Sequence, residues 1–225
     1  MHTSFKSLFT IILAIAAFTA SAQVQLSVGP RVGINLANFS TDDEEEIGEL
    51  DSRLGLLGGA VLELRFTDNL ALQTELGFIQ KGAKSEFSYT DPQLGEISEE
   101  VEFIFNYLEV PVLFKAGTSF GQARVDVLAG PSFGYAMNAK GKYKTTVNGE
   151  TEEEEEDLDF DDNGIARFDL GLQFGAALGI NITESAQLFA DGRYLLGLSN
   201  LNEDSEDGTI KNKGIALSAG VLFRL

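Results

Sequence analysis

The 225-residue sequence contains no cysteine, no tryptophan and one histidine, and it has only 16 basic residues against 35 acidic ones. Without cysteine, the chain can form neither disulfides nor a lipid-modified cysteine. The histidine is His2, so the chain beyond the N-terminal segment lacks the commonest general base, and we expect no catalytic activity. The formal net charge of −19 disfavours nucleic acid as a partner, because an acidic surface repels phosphate.

The first 22 residues have the pattern of a secretory signal peptide. Lys6 is positively charged, residues 8–18 form an apolar run, and the small residues 20–22 form a cleavage site before Gln23. This run is too short to span a bilayer as a helix. We therefore expect an exported protein with one domain over residues 23–225. An uncleaved N-terminal anchor is the alternative.

Apolar residues then recur at every second position, which is typical of β-strands with one apolar face. In the last strand, for example, the odd positions from Ile215 to Leu225 are all apolar. The predicted strands cover roughly residues 26–36, 53–66, 70–82, 107–116, 122–137, 168–180, 186–198 and 214–225. Short turns alternate with long polar loops, which cover about 37–52, 83–106, 138–166 and 199–212.

Alternating short and long connections are typical of membrane barrels with periplasmic turns and surface loops. The mean hydropathy of +0.01 is too low for a helical membrane protein. The sequence therefore predicts an all-β protein, an eight-stranded antiparallel up-and-down transmembrane β-barrel in the bacterial outer membrane. We expect a monomer with both termini in the periplasm. A soluble periplasmic barrel that carries a hydrophobic ligand is an alternative.

Two irregularities interrupt this pattern. Pro30, Pro111 and Pro131 lie inside predicted strands, where each removes a ladder hydrogen bond and suggests a bulge. Residues 101–105 have their apolar side chains on odd positions, whereas residues 108–114 have them on even positions. Either a bulge near Asn106 resets the phase, or 101–105 belong to a loop hairpin above the membrane. We favour the hairpin.

The charges follow the predicted architecture. The four long loops contain 27 of the 35 acidic residues. Six acids and eight bases share the inward-facing positions of the strands. The acids are Glu63, Glu75, Glu109, Asp126, Asp169 and Asp191, and the bases are Arg31, Arg65, Lys81, Lys115, Arg124, Arg167, Arg193 and Arg224. Side chains fill an eight-stranded barrel, and charges buried there must pair. We predict a plugged lumen with a salt-bridge network, with an ion or proton pathway as the alternative.

The third long loop contains the strongest metal-binding pattern. Residues 159–164 match the opening D-x-D-x-N-G of a calcium loop, but Leu170 occupies the twelfth position, where a bidentate glutamate is expected. We predict a weak Ca²⁺ or Mg²⁺ site and no other cofactor. Its predicted ligands are Asp157, Asp159, Asp161 and Asn163. The alternative is a solvated, mobile acidic loop, which is the usual state of such charge runs.

Several segments resemble the PorT-like outer-membrane β-barrel family, also called outer-membrane protein beta-barrel domain proteins. They are Val32–Phe39, Gly130–Gly134, the C-terminal strand and, most specifically, Tyr107–Lys115 with the sequence YLEVPVLFK. The resemblance covers essentially the whole chain beyond residue 22 and implies the fold and the location. The family's namesake takes part in secretion and maturation of exported proteases in bacteria that use the type IX route.

Together these features predict a non-enzymatic outer-membrane barrel with a structural or surface-interaction role. Its expected partners are outer-membrane lipid and lipopolysaccharide, divalent cations or other proteins, which its acidic loops would contact. Two alternatives are an accessory component of protein export, as the PorT-like resemblance implies, and a narrow diffusion channel.

Overall fold

The computed structural model describes residues 24–41, 50–91, 93, 95–162, 164–202 and 208–225, which form nine β-strands. The strands are β1 (Gln25–Thr41), β2 (Arg53–Arg65), β3 (Leu70–Asp91), β4 (Gly95–Phe120), β5 (Ala123–Val147), β6 (Glu150–Leu158), β7 (Phe168–Asn181), β8 (Ala186–Gly197) and β9 (Ile210–Arg224). Within this part of the chain, no helix is long and apolar enough to cross a lipid bilayer. The predicted signal peptide and its cleavage point lie outside the described residues.

Eight of these strands form a closed antiparallel ring. Consecutive strands pair from β1 to β5, β5 pairs with β7, and β9 pairs with β1 to close the circle. The ninth strand, β6, pairs with β5 outside the ring. The prediction of an eight-stranded antiparallel barrel is therefore confirmed. One end of the barrel carries the short connections (the short-turn end), and the other carries the long ones (the long-loop end).

Side chains alternate across the barrel wall as predicted. Large apolar residues such as Val32, Leu56 and Phe114 are 61–69% exposed on the outside, whereas Glu63 and Arg193 are 2% exposed inside. A soluble barrel carrying a hydrophobic ligand has the opposite arrangement, with apolar side chains inside. An apolar outer wall around a charged interior is the arrangement of a barrel surrounded by lipid.

The predicted bulges at the prolines are wrong. Pairs on either side of Pro30, Pro111 and Pro131 keep one register, so each proline only omits a ladder hydrogen bond. The register shift lies elsewhere, where Asn106 pairs with Asn138 and Tyr107 pairs with Ala136. Asn106 and Tyr107 are consecutive on β4, whereas their partners on β5 are two positions apart. The extra residue of the bulge therefore lies on β5, between Ala136 and Asn138. A bulge near Asn106 thus exists, but β4 itself continues through it without changing phase.

The second and third long loops are strands for most of their length. Residues 83–106 complete the β3–β4 hairpin, and residues 138–158 contain the end of β5 and all of β6. The predicted loop boundaries are wrong there because the cross-strand ladder continues beyond the ring. The result is a four-stranded sheet in the order β3–β4–β5–β6, which we call the extension. The nine residues of β6 span about 30 Å.

Candidate functional site

The middle of the lumen is filled by a charged cluster around Glu75. Arg31 forms an ion pair with this carboxylate, and Arg193 Nη2 lies 2.7 Å from its Oε1. Arg193 Nε also lies 2.9 Å from Asp191 Oδ1. Gln73 donates a further hydrogen bond to Glu75. Because all of these side chains are buried, each charge depends on its neighbours for the solvation that water would otherwise provide.

Two more clusters lie along the same lumen. Lys81 Nζ contacts Glu109 Oε1 at 2.6 Å and Asp169 Oδ2 at 2.9 Å. Lys115 Nζ lies 2.7 Å from Glu63 Oε2. The Arg193–Glu75 and Lys81–Asp169 pairs join strands that are far apart in sequence and are not neighbours in the ring. These pairs fill the interior as well as balance its charge.

The predicted network is confirmed for most of its members. All six predicted acids are buried and ion-paired, and the bases Arg31, Arg65, Lys81, Lys115, Arg124 and Arg193 pair with them. The two remaining bases have other roles. Arg224 donates hydrogen bonds to the Glu184 carbonyl and to Asn181 at the short-turn end. The Arg167 guanidinium stacks 4.1 Å from the centre of the Phe160 ring.

The lumen contains two vestibules separated by this network. The polar vestibule at the short-turn end has a volume of about 430 Å³, and the long-loop end has a pocket of about 660 Å³. Between them, the cavities beside Arg31 and beside Lys81 measure only about 30 and 10 Å³. Spaces of this size hold one or two water molecules and not a continuous column.

An apolar cluster closes the lumen above the charges. Phe39 and Phe105 meet edge to face with ring centres 5.9 Å apart, and the Tyr107 ring lies 6.4 Å from that of Phe105. Leu201 and Phe160 belong to the same buried cluster. The pocket at the long-loop end, which we call the mouth pocket, lies on this cluster. It is lined by Phe39, Thr41, Leu50, Phe103, Phe105, Tyr143, Leu158, Asp161, Asp162, Gly164, Ile165, Leu201, Asn202 and Ile210.

The acidic strand β6 presents different charges on its two faces. On one face, Glu153, Glu155 and Asp157 lie directly opposite Lys144, Lys142 and Lys140 of β5. On the other face, which we call the inner face, Glu152, Glu154 and Glu156 lie opposite Thr145, Tyr143 and Gly141. Only the first face is therefore neutralised by its neighbouring strand. Tyr143 lines the mouth pocket, so the unneutralised glutamates share a face with it.

Lys140 and Glu155 form the best-defined contact of the neutralised face. Their Nζ and Oε1 atoms are 2.5 Å apart. The hydrogen bond from Lys140, together with its charge, lowers the pKa of the Glu155 carboxyl below its ordinary value of 4.5. The same contact raises the pKa of Lys140 above 10.5. Glu155 is exposed and Lys140 is half-buried, so water and salt reach this pair.

The predicted metal ligands are spread over a strand and a turn. Asp157 belongs to β6, Asp161 is exposed, and Asn163 lies outside the described residues. Asp159 Oδ1 accepts backbone N–H groups from Asp161 at 2.9 Å and from Asp162 at 3.3 Å. No group of three metal-ligating side chains occurs within the part of the chain that the structure describes. The weak Ca²⁺ or Mg²⁺ site stays a prediction.

The same turn has a role in packing that the charge pattern concealed. Phe160, between two aspartates, is 3% exposed and belongs to the apolar cluster. The Ile165 N–H donates to the Phe160 carbonyl at 2.8 Å and closes the turn. The acidic segment is therefore solvated, as expected for such a charge run, but it is a strand followed by a packed turn, and an irregular loop is excluded for residues 150–162.

The sequence contains a signal for this hairpin. Asn148-Gly149 is the dipeptide preferred in two-residue β-hairpin turns, because both central residues need positive φ. The observed φ values are 49° and 86°. Alternating lysines before the turn and glutamates after it also match a two-stranded ladder. The mouth pocket has no comparable signal, since its lining comes from several distant segments.

Comparison with known proteins finds one matching family and several similar solved structures. The family described as outer membrane protein beta-barrel domain matches residues 21–203. A major outer membrane protein from Thermus thermophilus is 13% identical, with a TM-score of 0.45 over 90% of this chain and 100% of that one. Neisserial surface protein A is 14% identical, with a TM-score of 0.44 over 89% and 97%. Ail of Yersinia pestis, solved with the heparin analogue sucrose octasulfate, is 15% identical, with a TM-score of 0.37 over 88% and 99%. No curated protein matches.

Proposed function

The chain belongs to the outer-membrane protein beta-barrel domain family, and from this membership we propose that it is a non-enzymatic, non-conducting barrel that binds partners at the cell surface. The binding element is the extension with its acidic strand β6. Long connections of such barrels face the cell exterior and short turns face the periplasm. The extension therefore projects outward, and Gln25 at the start of β1 and Arg224 at the end of β9 lie on the periplasmic side.

One observation carries this proposal. The barrel interior is occupied by ion pairs and an apolar cluster, whereas the strands continue about 30 Å beyond the ring as an ordered sheet. A protein built for diffusion would place its polar groups around an open passage. Here the polar groups of the interior pair with one another, and the ordered structure outside the ring is available for contact.

The charge of the extension defines the chemistry of the partner. The inner face of β6 presents Glu152, Glu154 and Glu156 without opposing lysines. A partner with a basic surface would be attracted and oriented by these carboxylates, and an acidic one would be repelled. Lipopolysaccharide phosphates are also anionic, so their contact with this surface requires bridging divalent cations.

An accessory role in protein export, as in the PorT-like resemblance, is the second candidate. Within the described residues, β6 pairs only with β5, so its other edge offers free backbone N–H and C=O groups. An extended basic polypeptide in transit could add to this edge as a further strand. The partners recovered from membranes distinguish the two roles, because an export accessory binds other export components or their substrates.

Conductance measurements test the closed lumen. We expect the refolded protein to insert into planar bilayers without steady single-channel currents. The unaltered protein is compared with the variant Arg193→Ala. This substitution removes from the central cluster the largest of the fully buried side chains among the described residues. Steady open currents from the unaltered protein would reject the non-conducting barrel and favour a narrow diffusion channel.

Purification in mild detergent from native membranes tests the partner-binding role. Two triple variants of β6 remove three charges each from the same strand. We expect Glu152→Gln/Glu154→Gln/Glu156→Gln to lose a partner that the unaltered protein retains, because it neutralises the inner face. Glu153→Gln/Glu155→Gln/Asp157→Asn neutralises the opposite face and should retain it. Equal recovery with both variants, or no stoichiometric partner at all, contradicts the proposal.

A further inference from the structure

The mouth pocket has the dimensions and lining of a small-molecule site. Its volume of about 660 Å³ falls within the range of roughly 300–1,000 Å³ typical of ligand pockets. Phe39, Phe105 and Leu201 form part of its lining and also belong to the buried cluster that seals the lumen. The pocket therefore has a closed apolar floor and does not lead into the charged interior.

Aromatic side chains form one wall of this pocket. Phe103, Phe105 and Tyr143 lie on the same face of adjacent strands, since Phe103 pairs with Gly141 and Val101 pairs with Tyr143. Tyr143 is 38% exposed although it lines the pocket. A wall of partly exposed aromatic rings offers both apolar contact and a π surface, and cations bind favourably to such surfaces.

The rim of the pocket is acidic. Asp161 and Asp162 line it and are exposed, and neither forms an ion pair with another described residue. Glu154, directly opposite Tyr143, lies on the inner face beside it. A ligand that enters the pocket therefore passes carboxylates with unneutralised charge before it reaches apolar surface.

We propose that the mouth pocket binds small organic cations with an apolar body, such as primary amines with an aliphatic or aromatic tail. The tail contacts Phe39, Phe103 and Leu201 and loses its contact with water. The ammonium group stays at the rim, where it lies near Asp161 and Asp162 and can contact the Tyr143 ring. Anionic amphiphiles of equal size are repelled. This site is independent of the surface-binding role, because it needs only the pocket and not a protein partner.

The absence of tryptophan from the chain allows a direct test. Tyr143→Trp places a single fluorescent reporter in the pocket wall. Phe168→Trp places one on the outer wall, where Phe168 is 53% exposed and pairs with Tyr135, so it reports partitioning into lipid. Both variants are refolded into lipid nanodiscs and checked by circular dichroism. They are then titrated with octylammonium and octanoate below their micelle concentrations, and with octanol below its solubility.

We expect a saturable emission change with octylammonium in the Tyr143→Trp protein, at concentrations at least tenfold lower than for octanoate. Adding Asp161→Asn/Asp162→Asn should weaken octylammonium binding about tenfold and leave octanol unchanged. Equal responses to octylammonium and octanoate, a similar change in Phe168→Trp, or no change would each overturn the proposal. If Tyr143→Trp does not fold, the unaltered protein is titrated with the same three compounds by calorimetry, and the heats for empty nanodiscs are subtracted. The criterion is the same: octylammonium must bind at least tenfold more tightly than octanoate.

Discussion

The two halves of the barrel interior use the same inward-facing positions for different chemistry. On β4, Glu109 and Lys115 point into the lumen nearer the short-turn end, and both are buried in ion pairs. Two and four residues before Glu109 along the chain, Tyr107 and Phe105 point the same way and belong to the apolar cluster. Alternation along a strand therefore determines which side of the wall a residue faces. The chemistry of that side changes with height along the barrel.

The surroundings of each half explain this difference. The charged half is enclosed by the barrel wall, so its ionised groups must pair within it. The apolar half lies beside the acidic segments of the long-loop end, where carboxylates repel one another. Burial of apolar surface stabilises this end without depending on charge balance. Variants of the two halves should therefore differ in size of effect and in response to salt and pH.

The largest effect is expected in the charged half. Arg193→Met leaves Glu75 and Asp191 without their main partner in a fully buried site. Removing one member of such a cluster costs about 3–5 kcal/mol. Urea unfolding in detergent, followed by circular dichroism, measures this change. Arg193→Met/Asp191→Asn should recover much of the loss, because it leaves Arg31 paired with Glu75 and no charge of the cluster unpaired. Equal stability of the single and double variants would contradict a network held by charge.

A smaller effect is expected in the apolar half. Phe105→Ala removes a buried ring that contacts Phe39 and Tyr107. We expect a loss of about 3 kcal/mol, at the lower end for such truncations, because the adjoining mouth pocket lets the site relax. The same urea experiment at low and high salt provides the comparison. The Phe105→Ala loss should be independent of salt, and a salt dependence would show that charges also hold this half together.

The smallest effect is expected in the extension, and it depends on pH. The folded-state pKa of Glu155 lies below 4.5, so its contribution is present above pH 4.5 and is lost as pH falls through the lowered value. The pKa of Lys140 lies above 10.5, so its contribution is present below that pH and is lost as pH rises through the raised value. Hydrogen exchange of the β5–β6 amides, corrected for the intrinsic rate, should show weaker protection in acid.

Lys140→Met removes the closer of the two lysine partners of Glu155 and should weaken this acid response. Lys144→Met changes the charge of the same strand by the same amount. It is the matched control because Lys144 lies opposite Glu153 and not Glu155. An unchanged acid response in Lys140→Met would assign the pH dependence to other carboxylates of the extension.

Much of the barrel was predictable from sequence because its physical causes are local. Alternation identifies a strand from its own residues, and an inward-facing charge such as Asp169 or Lys81 must find a partner wherever the ring closes. The sequence could not show that Lys81 lies 2.9 Å from Asp169, since the two residues belong to strands on different sides of the barrel. The odd or even position of a residue in its strand predicts the direction of its side chain. Its partner depends on which strands come together when the ring closes.

The extension was missed because its composition resembles that of a loop. The run Glu152–Glu156 has low intrinsic preference for strands, and the long ladder with β5 outweighs that preference. The phase change before Asn106 has a related cause, and residues 101–105 lie in the β3–β4 hairpin beyond the ring, as predicted. Phe103 and Phe105 are apolar because they face the cluster and the mouth pocket, whereas Leu108 and Phe114 are apolar because they are exposed on the outer wall. Two apolar environments on opposite sides of one strand produce an apparent shift of register.

Because β3, β4 and β5 each continue as one strand from the short-turn end to the tip of the extension, these three strands, as far as the structure describes them, join the anchored and projecting parts directly. Ladder hydrogen bonds lie across the strands, so a force applied at the tip along the strand axis loads many of them at once in shear. A partner that pulls on the tip therefore pulls on the barrel wall itself. Tension of this kind is carried into the membrane and does not peel the hairpin open one bond at a time.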